Sequence, residues 1–177
     1  MEQMNQAYKV FTRICLNNWH YIDRKVLGLN ESINFFTGHS GSGKSTVIDA
    51  MQIVLYANTD GRGFFNKAAA DDSDRSLIEY LRGMINIGEN NQAEYKRNKN
   101  FSTTIVLEME QTITKEKECI GVVFDVETAT NEINRLFFWH KGELIPGDYR
   151  TESRAMTISE VRSYLQQNFP KDEMFYT

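Results

Sequence analysis

Between residues 8 and 16 apolar and polar positions alternate. Val10, Thr12, Ile14 and Leu16 fall on one face and Lys9, Phe11, Arg13 and Cys15 on the other, and a period of two predicts a strand. Asn17-Asn18 reads as a turn, residues 21–27 as a second strand, and Gly28-Leu29-Asn30-Glu31 as the turn into a short buried strand at Ile33-Asn34-Phe35-Phe36-Thr37. From Thr46 to Tyr56 the apolar spacing becomes helical. Residues 58–76, rich in Gly, Asp, Asn and Ala, predict an irregular excursion. Leu77, Ile78 and Leu81 then share a helix face that Gly83 is placed to end. The stretch from Gly88 to Asn100 is polar and predicts a mobile segment carrying Lys96-Arg97-Asn98-Lys99. Three alternating runs follow, Phe101 to Glu110, Cys119 to Val126 and Arg135 to His140. No helix separates them, so residues 101–140 predict an antiparallel meander. A last helix starts at Thr157, where Thr157-Ile158-Ser159-Glu160 forms a capping box ahead of Val161, Tyr164 and Leu165, and Pro170 stops it.

Length adds that 1–177 forms one domain, large enough to bury roughly 70% of its unfolded surface. A hydrophobic fraction of 41% and a charged fraction of 25% are those of a soluble globular chain. No apolar run reaches membrane-spanning length, and the polar start Met1-Glu2-Gln3-Met4 carries no secretory pattern, so the expected compartment is the cytoplasm, with no membrane partner. Cys15 and Cys119 are isolated and read as reduced core thiols. The formal charge of −4 gives no global case for nucleic-acid binding; such contact would need a local patch.

The chemistry is concentrated in Gly38-His39-Ser40-Gly41-Ser42-Gly43-Lys44-Ser45, which spells G-x-x-x-x-G-K-[ST] between the predicted strand and the helix that opens at Thr46. The glycines let the backbone wrap a phosphate, while loop N–H groups and the helix N-terminus supply donors and partial positive charge. Lys44 is the candidate for the β- and γ-phosphates, Ser45 for Mg²⁺, and Thr46 continues the donor row. The expected ligand is ATP or ADP with Mg²⁺.

Two strands precede the nucleotide strand, whereas a small P-loop kinase normally opens on it and continues with alternating helices and parallel strands. Hydrolysis also needs an acid at the end of an apolar strand. The segment Cys119-Ile120-Gly121-Val122-Val123-Phe124-Asp125 fits superficially, but it alternates within the meander, so Asp125 reads as an outward structural residue. No Ser-Gly-Gly signature occurs, and no complete catalytic set is present in this chain. His39 sits at a variable loop position, the three histidines lack metal-ligand spacing, and Gln166 and Gln167 read as a solvated helix face.

The pattern Leu16-Asn17-Asn18-Trp19, then Ile33 to Phe36, the P-loop and Ser45-Thr46-Val47-Ile48-Asp49-Ala50-Met51-Gln52 resembles the amino-terminal head segment of SMC-like ATPases such as SbcC, RecN and MukB. Phe65-Asn66-Lys67-Ala68-Ala69-Ala70 and Asp74-Arg75-Ser76-Leu77-Ile78-Glu79-Tyr80-Leu81-Arg82-Gly83 are similar to the MukB/JetC type of Wadjet plasmid-defence systems. The resemblance covers about residues 8–177 and implies an α/β P-loop NTPase of the ABC/SMC head class: an amino-terminal lobe with an antiparallel β-lobe, from a longer chain. It further implies ATPase activity in the full-length protein, with ATP-driven head engagement coupled to DNA handling. The implied partners are a carboxy-terminal head lobe, a second head in a homodimer, kleisin-like and winged-helix accessory subunits, and duplex DNA. The family places an aromatic and then a basic residue after its first strand, the latter near phosphate; the matching positions are Trp19 and His20, with a partly exposed turn histidine as the alternative. Arg62, Lys67, Arg75 and Arg82 are candidate phosphate or partner-head contacts, or ordinary surface cations. A self-contained small P-loop kinase and a non-hydrolysing nucleotide-dependent interaction module are the other readings of the same residues.

Overall fold

The computed structural model describes residues 6–32, 34, 44–56, 76–88 and 90–177, with the backbone alone at 44, 86 and 87. In chain order the elements are β1 (Lys9–Trp19), β2 (Ile22–Gly28), α1 (Lys44–Leu55), α2 (Leu77–Arg82), β3 (Met84–Ile87), β4 (Ala93–Tyr95), β5 (Phe101–Gln111), β6 (Lys117–Glu127), β7 (Glu132–Lys141), a 3₁₀ turn (Pro146–Tyr149), α3 (Ile158–Asn168) and β8 (Met174–Tyr176). Six strands form one sheet in the order β2-β1-β5-β6-β7-β8, each neighbouring pair antiparallel. β3 and β4 make a separate two-stranded ribbon.

Both faces of this sheet are covered, which explains why β5 reads as an almost continuous apolar and threonine run. All of its positions from Ser102 to Glu108 are buried. On one face Ile14 and Leu16 of β1, Ile105 and Leu107 of β5, and Val122, Phe124 and Val126 of β6 meet Val47, Ala50, Ile53 and Val54 of α1 together with Leu77, Tyr80 and Leu81 of α2. On the other, Cys15, Val106, Cys119, Val123, Leu136 and Phe138 are sealed by Leu144, Tyr149, Val161 and Leu165. The expected meander over 101–140 is present as β5, β6 and β7. The described residues therefore give a mixed α/β fold built on an antiparallel sheet.

Local signals hold where their partners are local. Thr157 caps α3, its Oγ1 accepting from the Glu160 N–H at 3.3 Å while the Glu160 carboxylate accepts from the Thr157 N–H at 3.2 Å. Gly83 ends α2 in the left-handed region at φ 66°, its N–H bonded to the Glu79 carbonyl. A Cβ there would also stand 2.7 Å from the His20 carbonyl oxygen, so the position is closed to a side chain on two counts. α1 opens at Lys44, two residues before the expected start, and closes at Leu55.

Three expectations are corrected, and one strand is unannounced. Asn17-Asn18 does not reverse the chain: β1 runs on to Trp19, and the turn is His20-Tyr21, with Trp19 paired to Ile22. Asn18 takes a left-handed φ of 55° inside the strand, where its Nδ2 donates to the Ser102 carbonyl at 3.0 Å and its own carbonyl accepts from Thr103 Oγ1 at 2.7 Å. Phe11 packs with Ile14 and Leu16 instead of lying with Arg13 and Cys15, because the β1–β5 register slips between Phe11 and Arg13. The basic run after Gly88 is not a loose segment: it follows β4, and Arg97 within it is only 9% exposed. β8, which the sequence pattern does not announce, closes the sheet against Phe138, Trp139 and His140. The expected strand at 33–37 lies outside the described residues apart from Asn34, which is exposed and bonds Asn30 through its amide. The excursion at 58–75 lies outside them too.

Candidate nucleotide site

The start of α1 is fastened to the end of the sheet by three aromatic residues. Trp19 Nε1 donates to the Thr46 carbonyl at 2.8 Å, and His20 Nδ1 lies 3.2 Å from Thr46 Oγ1. The Trp19 ring stacks on Tyr80 of α2 at 5.0 Å and 8° between planes, and the Tyr80 hydroxyl donates to the Asp49 carboxylate one turn further along α1. Trp19, His20, Thr46, Asp49 and Tyr80 are all buried. The first turn of α1 holds no acidic residue, so nothing in it cancels the donors and partial positive charge of a helix N-terminus.

A second layer holds the His20 turn. The His20 N–H donates to the Tyr80 carbonyl at 2.8 Å, and the Arg97 guanidinium donates to the carbonyls of His20 at 2.7 Å, Leu81 at 3.0 Å and Ile22 at 3.1 Å. Asp23 completes the set at 3.3 Å. Burial lowers the Arg97 pKa, and Asp23 opposes that shift. The Asp23 carboxyl is in turn held below its usual range, chiefly by Lys96.

Of the predicted site residues, Gly38, His39, Ser40, Gly41, Ser42 and Gly43 lie outside the described residues, as do Arg62, Lys67 and Arg75. Lys44 is the first residue of α1, Ser45 is half-buried behind it, and Thr46 is buried with its side chain turned to His20. The structure thus brings His20 to the base of the loop, but as a buried residue bonded to protein, not as the partly exposed turn histidine of the alternative reading. Arg82 lies apart from this cluster: it stacks over Tyr95 and bonds the Arg97 carbonyl and Asn131. Sequence reasoning missed Arg97 and Tyr80. Arg97 sits among Asn and Lys residues that read as solvated, and its acceptors are carbonyls remote in sequence.

Asp125 lies on the face opposite α1. Its carboxylate accepts from Ser102 Oγ at 2.7 Å and from the Ile158 N–H at 3.1 Å, so it anchors the first turn of α3. That placement supports a structural reading of Asp125, although the residue is half-buried and bonded, not outward. Gln166 on α3 is exposed and donates to the Tyr176 hydroxyl at 2.7 Å. Burial pushes the Cys15 thiol up to about 11 and the Cys119 thiol up to about 12, as inert core thiols require. Among the described residues no group of His, Cys, Asp or Glu side chains is arranged to hold a metal ion.

Residues 11–72 match a family model described as the P-loop containing region of AAA domain. This stretch is a nucleotide-binding P-loop region. It takes in β1 from Phe11 onward, β2 and α1, and with them His20, the Gly38–Ser45 loop, Thr46 and Arg62. No curated protein matches the chain. No helix among the described residues is long and apolar enough to cross a membrane.

The donor set fits a nucleotide with Mg²⁺. An acid-free first turn, a lysine at its first position and a hydroxyl at its second are the groups such a ligand requires.

Proposed function

We propose that this chain is the amino-terminal ATP-binding lobe of an SMC-like head of the MukB/JetC type. The observation that carries the reading is the P-loop region itself, set on a helix pinned to an antiparallel sheet whose first two strands precede the loop. Lys44 and the N–H groups of Gly38 to Thr46 hold the triphosphate, and Ser45 holds Mg²⁺, which neutralises charge on the β- and γ-phosphates. In the resembling family a carboxy-terminal head lobe supplies the acid and the signature serine, a second head completes the site, and kleisin-like and winged-helix subunits join the heads on duplex DNA. The assembled ATPase then works in the cytoplasm, its head engagement coupled to DNA handling in plasmid defence.

Titration with a fluorescent ATP analogue in the presence of Mg²⁺ tests the binding half of this reading. Lys44→Ala removes a charge-assisted contact and weakens affinity roughly tenfold or more. Equal affinity of wild type and variant would overturn it. Phosphate release by the chain alone stays at background, and it rises more than linearly with concentration once a carboxy-terminal lobe is supplied. Robust, Lys44-dependent turnover by the isolated chain would instead mark a self-contained enzyme.

A further inference from the structure

The P-loop motif gives His20 no task. His20 is 4% exposed, sits in the turn between β1 and β2, and lies 3.2 Å through Nδ1 from the hydroxyl of Thr46, the residue after the P-loop serine. Its backbone is fixed from two other directions, by its N–H on the Tyr80 carbonyl and by Arg97 on its own carbonyl. It adopts a left-handed φ of 51°, a conformation that most side chains avoid. Histidine is therefore held in a left-handed backbone position from several sides, with its ring Nδ1 against the Thr46 hydroxyl at the base of the helix and its ring packed on Tyr21 and Tyr80.

We propose that His20 is a positioning residue for the nucleotide site, acting through Thr46 to set the first turn of α1 against the sheet. The inference rests on reading this segment as a working P-loop. Phosphate recognition by backbone N–H groups depends on where those groups stand, and an ångström-scale displacement of a helix start misdirects several donors together. Trp19 fixes the Thr46 carbonyl, and Tyr80 holds the Asp49 carboxylate one turn further on. The bond to the Thr46 side chain adds a fixed point in the first turn itself, where the phosphate donors stand. Arg97 extends the same rest outward: its guanidinium ties the His20 turn to the end of α2, so the ribbon of β3 and β4 is rigidly linked to the helix that carries the phosphate site.

The test measures MgATP affinity and thermal midpoint together for His20→Ala, His20→Asn, Thr46→Val, Thr46→Ser and the double variant His20→Ala with Thr46→Val, using the whole chain. His20→Ala and Thr46→Val each weaken affinity about fivefold to tenfold, and the double variant is no weaker than either alone, because both remove one bond. His20→Asn keeps a side-chain amide near the Nδ1 position and tolerates the left-handed φ, so it stays within about threefold of wild type, as does Thr46→Ser. Losses that multiply in the double variant would show that His20 acts on the ligand independently of Thr46 and would overturn the proposal. Wild-type affinity in both His20→Ala and Thr46→Val would overturn it as well. Should His20→Ala fail to fold, Thr46→Val against Thr46→Ser decides, since only loss of the hydroxyl is expected to weaken binding. Failure of the P-loop reading looks different: wild type would then bind no nucleotide, or bind it with the same affinity after Lys44→Ala.

Discussion

Replacing Glu108 with Gln removes the charge from the most heavily bonded carboxylate among the described residues. Glu108 is fully buried on β5, and its two oxygens accept from Thr12 Oγ1 at 2.7 Å, from Arg13 Nε at 3.0 Å and Nη2 at 2.7 Å, and from the Leu144 N–H at 2.7 Å. Arg13 Nη2 also donates to the Leu144 carbonyl at 2.6 Å, so one ion pair ties β1, β5 and the segment after β7 together. Burial alone would push this carboxyl up. The bonds from Arg13, Leu144 and Thr12 outweigh burial and hold it at about 2, against 4.5 when unperturbed. At about 1.4 kcal/mol per unit, the ionised form contributes about 3 kcal/mol of stability. The sign follows from a pKa that is lower in the folded state: the contribution is complete above pH 4.5 and is lost as pH falls from there through about 2. Urea unfolding of wild type and Glu108→Gln should therefore differ by about 3 kcal/mol at pH 7, with roughly half or more of that gap gone by pH 3. Parallel stability curves over this range, or a gap well under about 1 kcal/mol at pH 7, would refute the reasoning.

Asp125→Ala should cost about 1 kcal/mol by freeing the first turn of α3 while leaving MgATP affinity unchanged, and a collapse of nucleotide binding would contradict its placement away from α1. In Gly121→Ala the new methyl would stand 2.5 Å from Phe138 Cζ and 2.9 Å from the Ile105 carbonyl oxygen. The expected cost is about 1–3 kcal/mol in a melting experiment, partly recovered by adding Phe138→Leu. His140 is buried between Phe138, Tyr149 and Phe169, and burial lowers its pKa from 6.5 against the opposing pull of the Lys141 carbonyl and Asp148. Its stabilising contribution is whole above pH 6.5 and fades as pH drops toward the folded value, so His140→Gln should flatten the stability curve between pH 7 and 5; an unchanged slope would disprove this.

What was legible in the sequence was what neighbours along the chain decide. Thr157 and Glu160 cap each other, Gly83 meets a left-handed requirement at a helix end, and the alternation of β5, β6 and β7 states its own period. The P-loop is equally local, an eight-residue motif whose fixed positions Gly38, Gly43, Lys44 and Ser45 each answer to phosphate. The misreadings share a different cause. Asn17-Asn18 reads as a turn until Ser102 and Thr103 arrive from β5 to hold it straight, and Phe11 changes face because of a slip against that same remote strand. Arg97 looks solvated in a run of Asn and Lys because its acceptors, the carbonyls of residues 20, 22 and 81, have no sequence signature at all. The family resemblance singles out His20, but only the fold shows that its ring Nδ1 meets Thr46.

β1 lies between β2, its hairpin partner, and β5, which begins at Phe101, after the whole nucleotide segment has been made. At about 5–20 residues per second of translation, the first hairpin waits roughly ten seconds for the strand that completes it. During that wait Ile14 and Leu16 have no β5 beside them, and closing so long a loop is an entropic cost met only when the meander forms. β1 and β2 thus wait through the whole nucleotide segment before β5 secures them, and the interval before residue 101 emerges is when a nascent chain of this design is most open to chaperones and to mispairing.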